Sequence, residues 1–292
     1  MEPVLTAHPT EAKRLSVLEQ HRVLHGLIQK LNFARSEISL QRLRREVCIA
    51  LERLWRTGET HQKRPTIADE RRNILYYLTE VYPSVLRRLD ERLVEALELA
   101  GYSAEGFLSG RVKPELRFGT WVGGDRDGHP LVTAEVTRKT LRELRQEALR
   151  VQRRSLERLY GVLSLTERIE DGEGDFTAVF GTVPEEVEEP WRWVVSRILE
   201  RLPEVDEEKN GEGRKYRNAR ELQAELRLLE RGLRKIGATR LAEGDVFPAI
   251  RVAETFGFHL ANLDIRQNSW FHRQAMGQIL EAAGLPGKAY VE

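Results

Sequence analysis

The chain has 292 residues, 40% hydrophobic and 32% charged, which is enough to bury one large core or two small ones. Its 47 basic and 46 acidic side chains leave a formal net charge of +1, which removes any global electrostatic basis for nucleic-acid binding. A single cysteine excludes an intramolecular disulfide and a multi-cysteine zinc site, and with no membrane span or secretory leader in view the chain reads as cytoplasmic.

A short apolar run, Val4–Ala7, predicts the first strand and leads straight into His8. Pro9 fixes φ at a value suited to a first helical position. A helix is therefore expected from Pro9 to about Leu31, with Leu15, Leu18, Leu24, Leu27, Ile28 and Leu31 near one face. His8 thus falls where a strand ends and a helix begins, the place where reacting groups gather in α/β folds. Taken as an isolated His-Pro, the same imidazole also reads as an N-cap or a turn residue.

A second helix is predicted over Ile38–Trp55, carrying Leu40, Leu43, Val47, Leu51 and Leu54. Cys48, between Val47 and Ile49, reads there as a buried inert thiol. After a loop at Arg56–Pro65, Asp69 is expected to cap a third helix containing Leu75, Leu78, Val81 and Tyr82. Pro83 should bend or restart that helix, which then runs through Leu97 to Gly101. A second strand is expected at Phe118–Val122, followed by a long helix from Thr133 to roughly Ile169 whose Arg- and Glu-rich positions form a solvated face. Glu170–Pro190 and Pro203–Asn218 read as charged surface loops. Helix returns at Ala219–Ile236 and Asp245–Gly257, and the third strand is Leu260–Ile265. Three lone strands among many helices make poor sense as a complete sheet. They fit the opening strands of a larger α/β assembly with long helical insertions.

Two further segments carry chemistry. Trp121, Gly123, Gly124, Asp125, Arg126 and Asp127 lie in a run from Phe118 to Pro130 that packs alternating charge into a glycine-bearing turn. The spaced ligands and closing glutamate of a calcium loop are missing, and no Lys-Ser/Thr follows to make a phosphate loop. On its residues alone the run reads as a rigid turn in which Arg126 pairs with its neighbours. In Leu260–Ser269, strand alternation puts Leu263 and Ile265 on one face and Asp264 and Arg266 on the other. Arg266, beside Gln267, suits a phosphate or carboxylate; the alternative is a buried Asp264–Arg266 pair. His21 and His25 are spaced i, i+4 but lack an acidic third ligand, so they read as a helix-surface pair.

The stretch Val4 to Glu11, VLTAHPTE, resembles the segment around the catalytic histidine of phosphoenolpyruvate carboxylases. The Trp121–Gly128 run closely resembles that family's Gly-Gly-Asp-Arg-Asp-Gly signature, with His129 where Asn is usual. Asp264-Ile265-Arg266-Gln267 matches a third family segment, with Asn268 in place of the usual glutamate. Weaker echoes occur at Arg64-Pro65 with Asp69-Glu70 and at Phe256-Gly257, so the resemblance spans essentially the whole chain.

The resemblance implies a predominantly helical α/β fold, the first three strands of a (β/α)₈ barrel with its site at the C-terminal strand ends. It implies carboxylation of phosphoenolpyruvate by bicarbonate to oxaloacetate and phosphate. His8 would be the catalytic base, Arg266 and Gln267 would bind substrate, and the Trp121–Asp127 turn would support them. It also implies Mg2+, a homo-oligomer in the full-length family, and neither nucleic-acid nor membrane partners.

Against that family the chain reads as a single partial domain, the amino-terminal portion, beginning at the histidine motif and stopping one helix after the third strand. The magnesium ligands, a glycine-rich loop and further phosphate-binding arginines are expected in the missing carboxy-terminal part. The chain alone is then expected to be inactive until a complementary carboxy-terminal polypeptide completes the barrel. The alternative is a non-catalytic protein derived from that enzyme, binding phosphoenolpyruvate or associating with full-length subunits. Retention of His8 favours the enzyme, because a binding module needs no base.

Overall fold

The computed structural model describes residues 1–6, 14–58, 66–110, 114–127, 131–169, 175–204 and 214–287. The chain divides into two compact units, Ala7–Asn73 and the combination of Met1–Thr6 with Ile74–Glu292.

In the smaller unit, α1 (Leu15–Phe33) and α2 (Glu37–Arg56) pair as a helical hairpin. Residues Pro9–Lys13 of the expected first helix lie outside the described residues. Ser36 caps α2 by accepting from the Ser39 N–H at 3.2 Å. Leu43 and Ala50 are the buried positions of α2, seven residues apart on one stripe. Cys48 is exposed, not buried as expected, because it falls off the stripe that Leu43, Val47, Ala50 and Leu54 follow. The third helix, α3 (Ile67–Tyr76), starts before Asp69. Thr66 is its cap, and Asp69, three residues on, completes a reciprocal pair with it: Asp69 N donates to Thr66 Oγ1 (3.3 Å) and Thr66 N to Asp69 Oδ2 (3.0 Å).

In the larger unit a π-helical turn, Tyr77–Val81, leads into α4 (Tyr82–Leu99). Pro83 is the cause. It has no N–H to give the Thr79 carbonyl, and the helix adjusts locally around the missing bond. Arg154 supplies the replacement, its Nη2 donating to Thr79 O at 2.9 Å and its Nη1 pairing with Glu80 at 2.8 Å. The short α5 (Glu105–Leu108) precedes β2, and α6 (Ala134–Val162) follows, capped by Thr133. This helix ends seven residues earlier than expected, where Leu163 turns into the core and is fully buried.

The segment expected as loop at 170–190 contains a helix, α7 (Asp175–Phe180), whose Phe176 and Phe180 are buried. Beyond it, α8 (Pro190–Arg201) and α9 (Ala219–Lys235, capped by Asn218) pack with α6 and α11 around Trp191, Leu156, Ile198, Leu226 and Leu229. Each such fully buried side chain stabilises the unit by about 1.5–3 kcal/mol. A second π turn, Ala242–Val246, joins the short α10 (Thr239–Leu241) to α11 (Phe247–Phe256), and Pro248 again follows the turn by two residues.

The strands are short: β1 (Val4–Leu5), β2 (Gly119–Thr120) and β3 (Asn262–Leu263), followed by α12 (Ser269–Ala282). They form one parallel sheet in the order β1-β2-β3, with Val4 opposite Gly119 and Gly119 opposite Asn262. Only two residues of each expected strand make a regular ladder. Phe118, just before β2, stacks on Tyr82 at 4.6 Å and on Phe256 at 5.5 Å between ring centroids. Those two rings tie the sheet to α4 and α11. The described chain is therefore predominantly helical, with a small parallel sheet of the α/β kind.

Candidate functional site

Because the three strands are parallel and adjacent, the segments that leave them leave at one end of the sheet. From β2 emerges the glycine-bearing turn. Gly124 N and Asp125 N both donate to Trp121 O at 2.9 Å, and Asp125 Oδ1 accepts from Asp127 N at 3.0 Å, which closes the turn with an aspartate side chain. Gly123 has φ +83°, and a Cβ there would stand 2.2 Å from Thr140 Oγ1. From β3 emerges Asp264–Gln267.

These two segments are hydrogen-bonded to each other. Asp125 and Arg266 form an isolated parallel bridge, with Arg126 N donating to Arg266 O (2.8 Å) and Arg266 N to Gly124 O (3.1 Å). The approach is close enough that a Cβ on Gly124 would lie 2.2 Å from the Asp264 carbonyl oxygen. Over this bridge the Arg266 guanidinium lies 3.5 Å from the centroid of the Trp121 ring. Arg266 is exposed and makes no ion pair with Asp264, so the buried pair weighed on sequence grounds does not form. Gln267 is half-buried, its Oε1 accepting from Asn268 N at 2.9 Å.

Arg126 does not pair with Asp125 or Asp127. Its Nη2 donates to Thr137 Oγ1 at 3.1 Å, and Thr137 Oγ1 also lies 2.9 Å from the Gly123 carbonyl. Arg126 Nε is buried with no hydrogen-bond partner among the described residues. Thr137 and Thr140, both buried on α6, thus brace the turn from behind. Sequence reading missed them; the available signal was a pair of hydroxyl residues in the opening turns of a helix otherwise dominated by Arg and Glu.

The turn residues Trp121 to Asp127 and the pair Arg266–Gln267, predicted from separate parts of the sequence, are therefore brought together. His8 follows β1 by three residues and lies outside the described residues, as do Gly128, His129 and Pro130.

A family model described as phosphoenolpyruvate carboxylase matches residues 1–292, the full length of the chain. The chain belongs to the phosphoenolpyruvate carboxylase family. It is 34% identical over 312 residues to the phosphoenolpyruvate carboxylase of Bradyrhizobium diazoefficiens, an alignment covering 100% of this chain and 32% of that protein. For that of Gloeobacter violaceus the figures are 35% over 315 residues, 99% of this chain and 33% of the relative. The Chromobacterium violaceum enzyme is 33% identical over 298 residues, covering 97% and 32%. The chain spans about a third of the length of the curated relatives it matches.

Two arginines stand at this strand end. Arg266 offers an exposed guanidinium on an aromatic platform, and Arg126 carries a buried nitrogen without an acceptor. That donor set fits a phosphate or carboxylate. It does not fit a magnesium ion, since no group of three or more His, Cys, Asp or Glu side chains is found among the described residues. No helix among them is long and apolar enough to cross a membrane.

Proposed function

We propose that this chain carries part of a phosphoenolpyruvate carboxylase active site on the first three strands of a (β/α)₈ barrel, with His8 as the catalytic base. The observation that carries the reading is the Asp125–Arg266 bridge, which joins two family-matched segments just beyond β2 and β3. In this reading Arg266, held against Trp121, grips the phosphate or carboxylate of phosphoenolpyruvate with its planar fork, and Gln267 adds a hydrogen bond. Bicarbonate attacks phosphorus, giving carboxyphosphate and the enolate of pyruvate. His8 takes the carboxyl proton, carbon dioxide leaves the phosphate, and the enolate carbon attacks it to give oxaloacetate. An imidazole titrates in the right range for that proton. Magnesium, where a family member binds it, would neutralise charge on phosphate and enolate.

Since the chain spans about a third of its relatives' length, we infer that turnover needs the remaining portion as well, supplied in the test as a separate polypeptide. The test is oxaloacetate formation from phosphoenolpyruvate, bicarbonate and magnesium, by the chain alone and mixed with that polypeptide. Activity in the mixture that His8→Asn abolishes is the expected result. Phosphoenolpyruvate binding with no turnover in either sample would favour the non-catalytic reading. Neither binding nor turnover would overturn both.

A further inference from the structure

Away from the strand ends, a cleft of about 400 Å³ runs between α4, α6 and the segment from the second π turn into α11. Its apolar lining includes Leu86, Leu159 and Phe247. Most of its charged groups already have partners. Arg87 pairs with Glu91 (2.9 Å), Arg154 with Glu80 (2.8 Å), Arg251 with Asp90 (3.0 Å), and Glu243 with Arg234 (3.1 Å). Two do not: Arg158 and Asp245 line the cleft and make no side-chain hydrogen bond or ion pair among the described residues. One unmatched cation and one unmatched anion therefore face the same space.

The two π turns add a second, independent asymmetry. Pro83 and Pro248 each withhold an N–H from the carbonyl four residues earlier. At the first turn Arg154 donates to that carbonyl, on Thr79. At the second, the corresponding carbonyl belongs to Gly244, which lines the cleft, and no described side chain donates to it. A Cβ on Gly244 would meet nothing within 4 Å, so open space lies beside it. One turn is completed by a side chain of the fold, and at the other Gly244 lines the cleft with no described side chain donating to its carbonyl.

We propose that this cleft binds a small zwitterion with an apolar body. Its carboxylate pairs with Arg158, its ammonium group with Asp245 and the Gly244 carbonyl, and its hydrocarbon or aromatic part lies on the Leu86–Phe247 lining. The volume is that of a small-molecule site. A plain anion or plain cation would compensate one of the two charges and leave the other to be desolvated alone, and a neutral apolar molecule would leave both. The inference rests on residues outside the strand-end site and stands whether or not the chain takes part in carboxylation.

The probe is L-phenylalanine, titrated calorimetrically into the full chain, alongside 3-phenylpropionate, which lacks the ammonium, and phenethylamine, which lacks the carboxylate. L-phenylalanine is expected to bind roughly tenfold or more tightly than either analogue, the worth of one charge-assisted hydrogen bond. Arg158→Gln should weaken L-phenylalanine and 3-phenylpropionate but leave phenethylamine unchanged, and Asp245→Asn should do the reverse. Arg158 is exposed, so its variant folds, and a melting curve on each protein checks this. No binding of L-phenylalanine at millimolar concentration would overturn the proposal. So would equal binding of all three probes, or affinities that neither variant changes.

Discussion

The guanidinium of Arg266 rests on the indole of Trp121, 3.5 Å from guanidinium carbon to ring centroid. The two residues come from different strand ends, and the backbone bridge between Asp125 and Arg266 holds their segments together independently of the side chains. Trp121 therefore orients Arg266 without being needed for the local pairing. A cation over an indole face is worth about 0.5–2 kcal/mol, more as water is excluded. On the proposed reading, Trp121→Ala is expected to weaken phosphoenolpyruvate binding by roughly threefold to thirtyfold. Trp121→Phe should recover much of the loss, since the ring face persists. Calorimetric titration of the three proteins decides it; an alanine variant that binds as tightly as the parent removes the platform role.

Gly124 is required by proximity. A methyl group there would stand 2.2 Å from the Asp264 carbonyl oxygen, which is backbone and cannot swing aside. Gly124→Ala must therefore push the turn away from the Arg266 segment, at a cost of about 1–3 kcal/mol. Gly161, near the end of α6, makes the control: a Cβ there meets nothing within 4 Å, so Gly161→Ala should stabilise by about 0.5–1 kcal/mol through helix propensity. Urea denaturation of both variants tests the contrast. Equal effects of the two substitutions would mean that the close approach at Gly124 does not constrain the fold.

Asp90 on α4 and Arg251 on α11 form a buried bidentate pair, with Nε to Oδ2 at 3.0 Å and Nη2 to Oδ1 at 3.3 Å. Burial pushes the Asp90 carboxyl above its ordinary range, and the Arg251 guanidinium holds it back down. Removing one partner leaves the other charged and enclosed, so Asp90→Leu or Arg251→Leu alone should each cost about 3–5 kcal/mol. Glu254, 3.2 Å from Arg251 Nη1, softens the loss when Asp90 goes. The double variant should lose far less than the sum, because two apolar side chains can pack where the ions were. A double-mutant cycle by denaturant titration measures this, and strict additivity would deny the coupling.

The helical framework was legible because period and caps agree. Ser36, Thr133 and Asn218 each stand just before an apolar-periodic run, and each accepts from the first turn of its helix. Misreadings came where local composition and tertiary packing disagree. Asp175–Phe180 sits in an acidic, glycine-bearing stretch, yet Phe176 packs against both Trp191 and Phe180 and a buried helix results. Asp69 looked like a cap because the reciprocal Thr66 contact appears only when the spacing is read backwards from the carboxylate. The candidate site was legible as separate strings, of which the Trp121–Asp127 and Asp264–Gln267 segments are the ones the structure joins. Their junction was not, because a parallel bridge between Asp125 and Arg266 depends on how α6 to α11 fold between them. Likewise nothing in local sequence says that Arg154 will complete a turn broken by Pro83.

At the opposite end of the sheet, the residues just before the strands form a small charged group: Glu2, Arg117 and His259. Partial burial lowers the His259 pKa from its ordinary value, the Arg117 charge lowers it further, and Glu2 opposes both. The sign follows from which state holds more protons. Well above pH 6.5 the imidazole is neutral whether the chain is folded or not, and His259 contributes no pH dependence. As pH falls through 6.5 the unfolded chain takes up a proton that the folded chain still refuses, so stability drops. The loss stops once pH is below the folded value. Denaturation midpoints at pH 7.5 and 5.5 should therefore lie closer together in His259→Gln than in the parent. Glu2→Gln, which removes the opposing carboxylate, should move them further apart. If both variants keep the parent's separation, the acid sensitivity of this chain arises elsewhere and the charged group before the strands has no part in it.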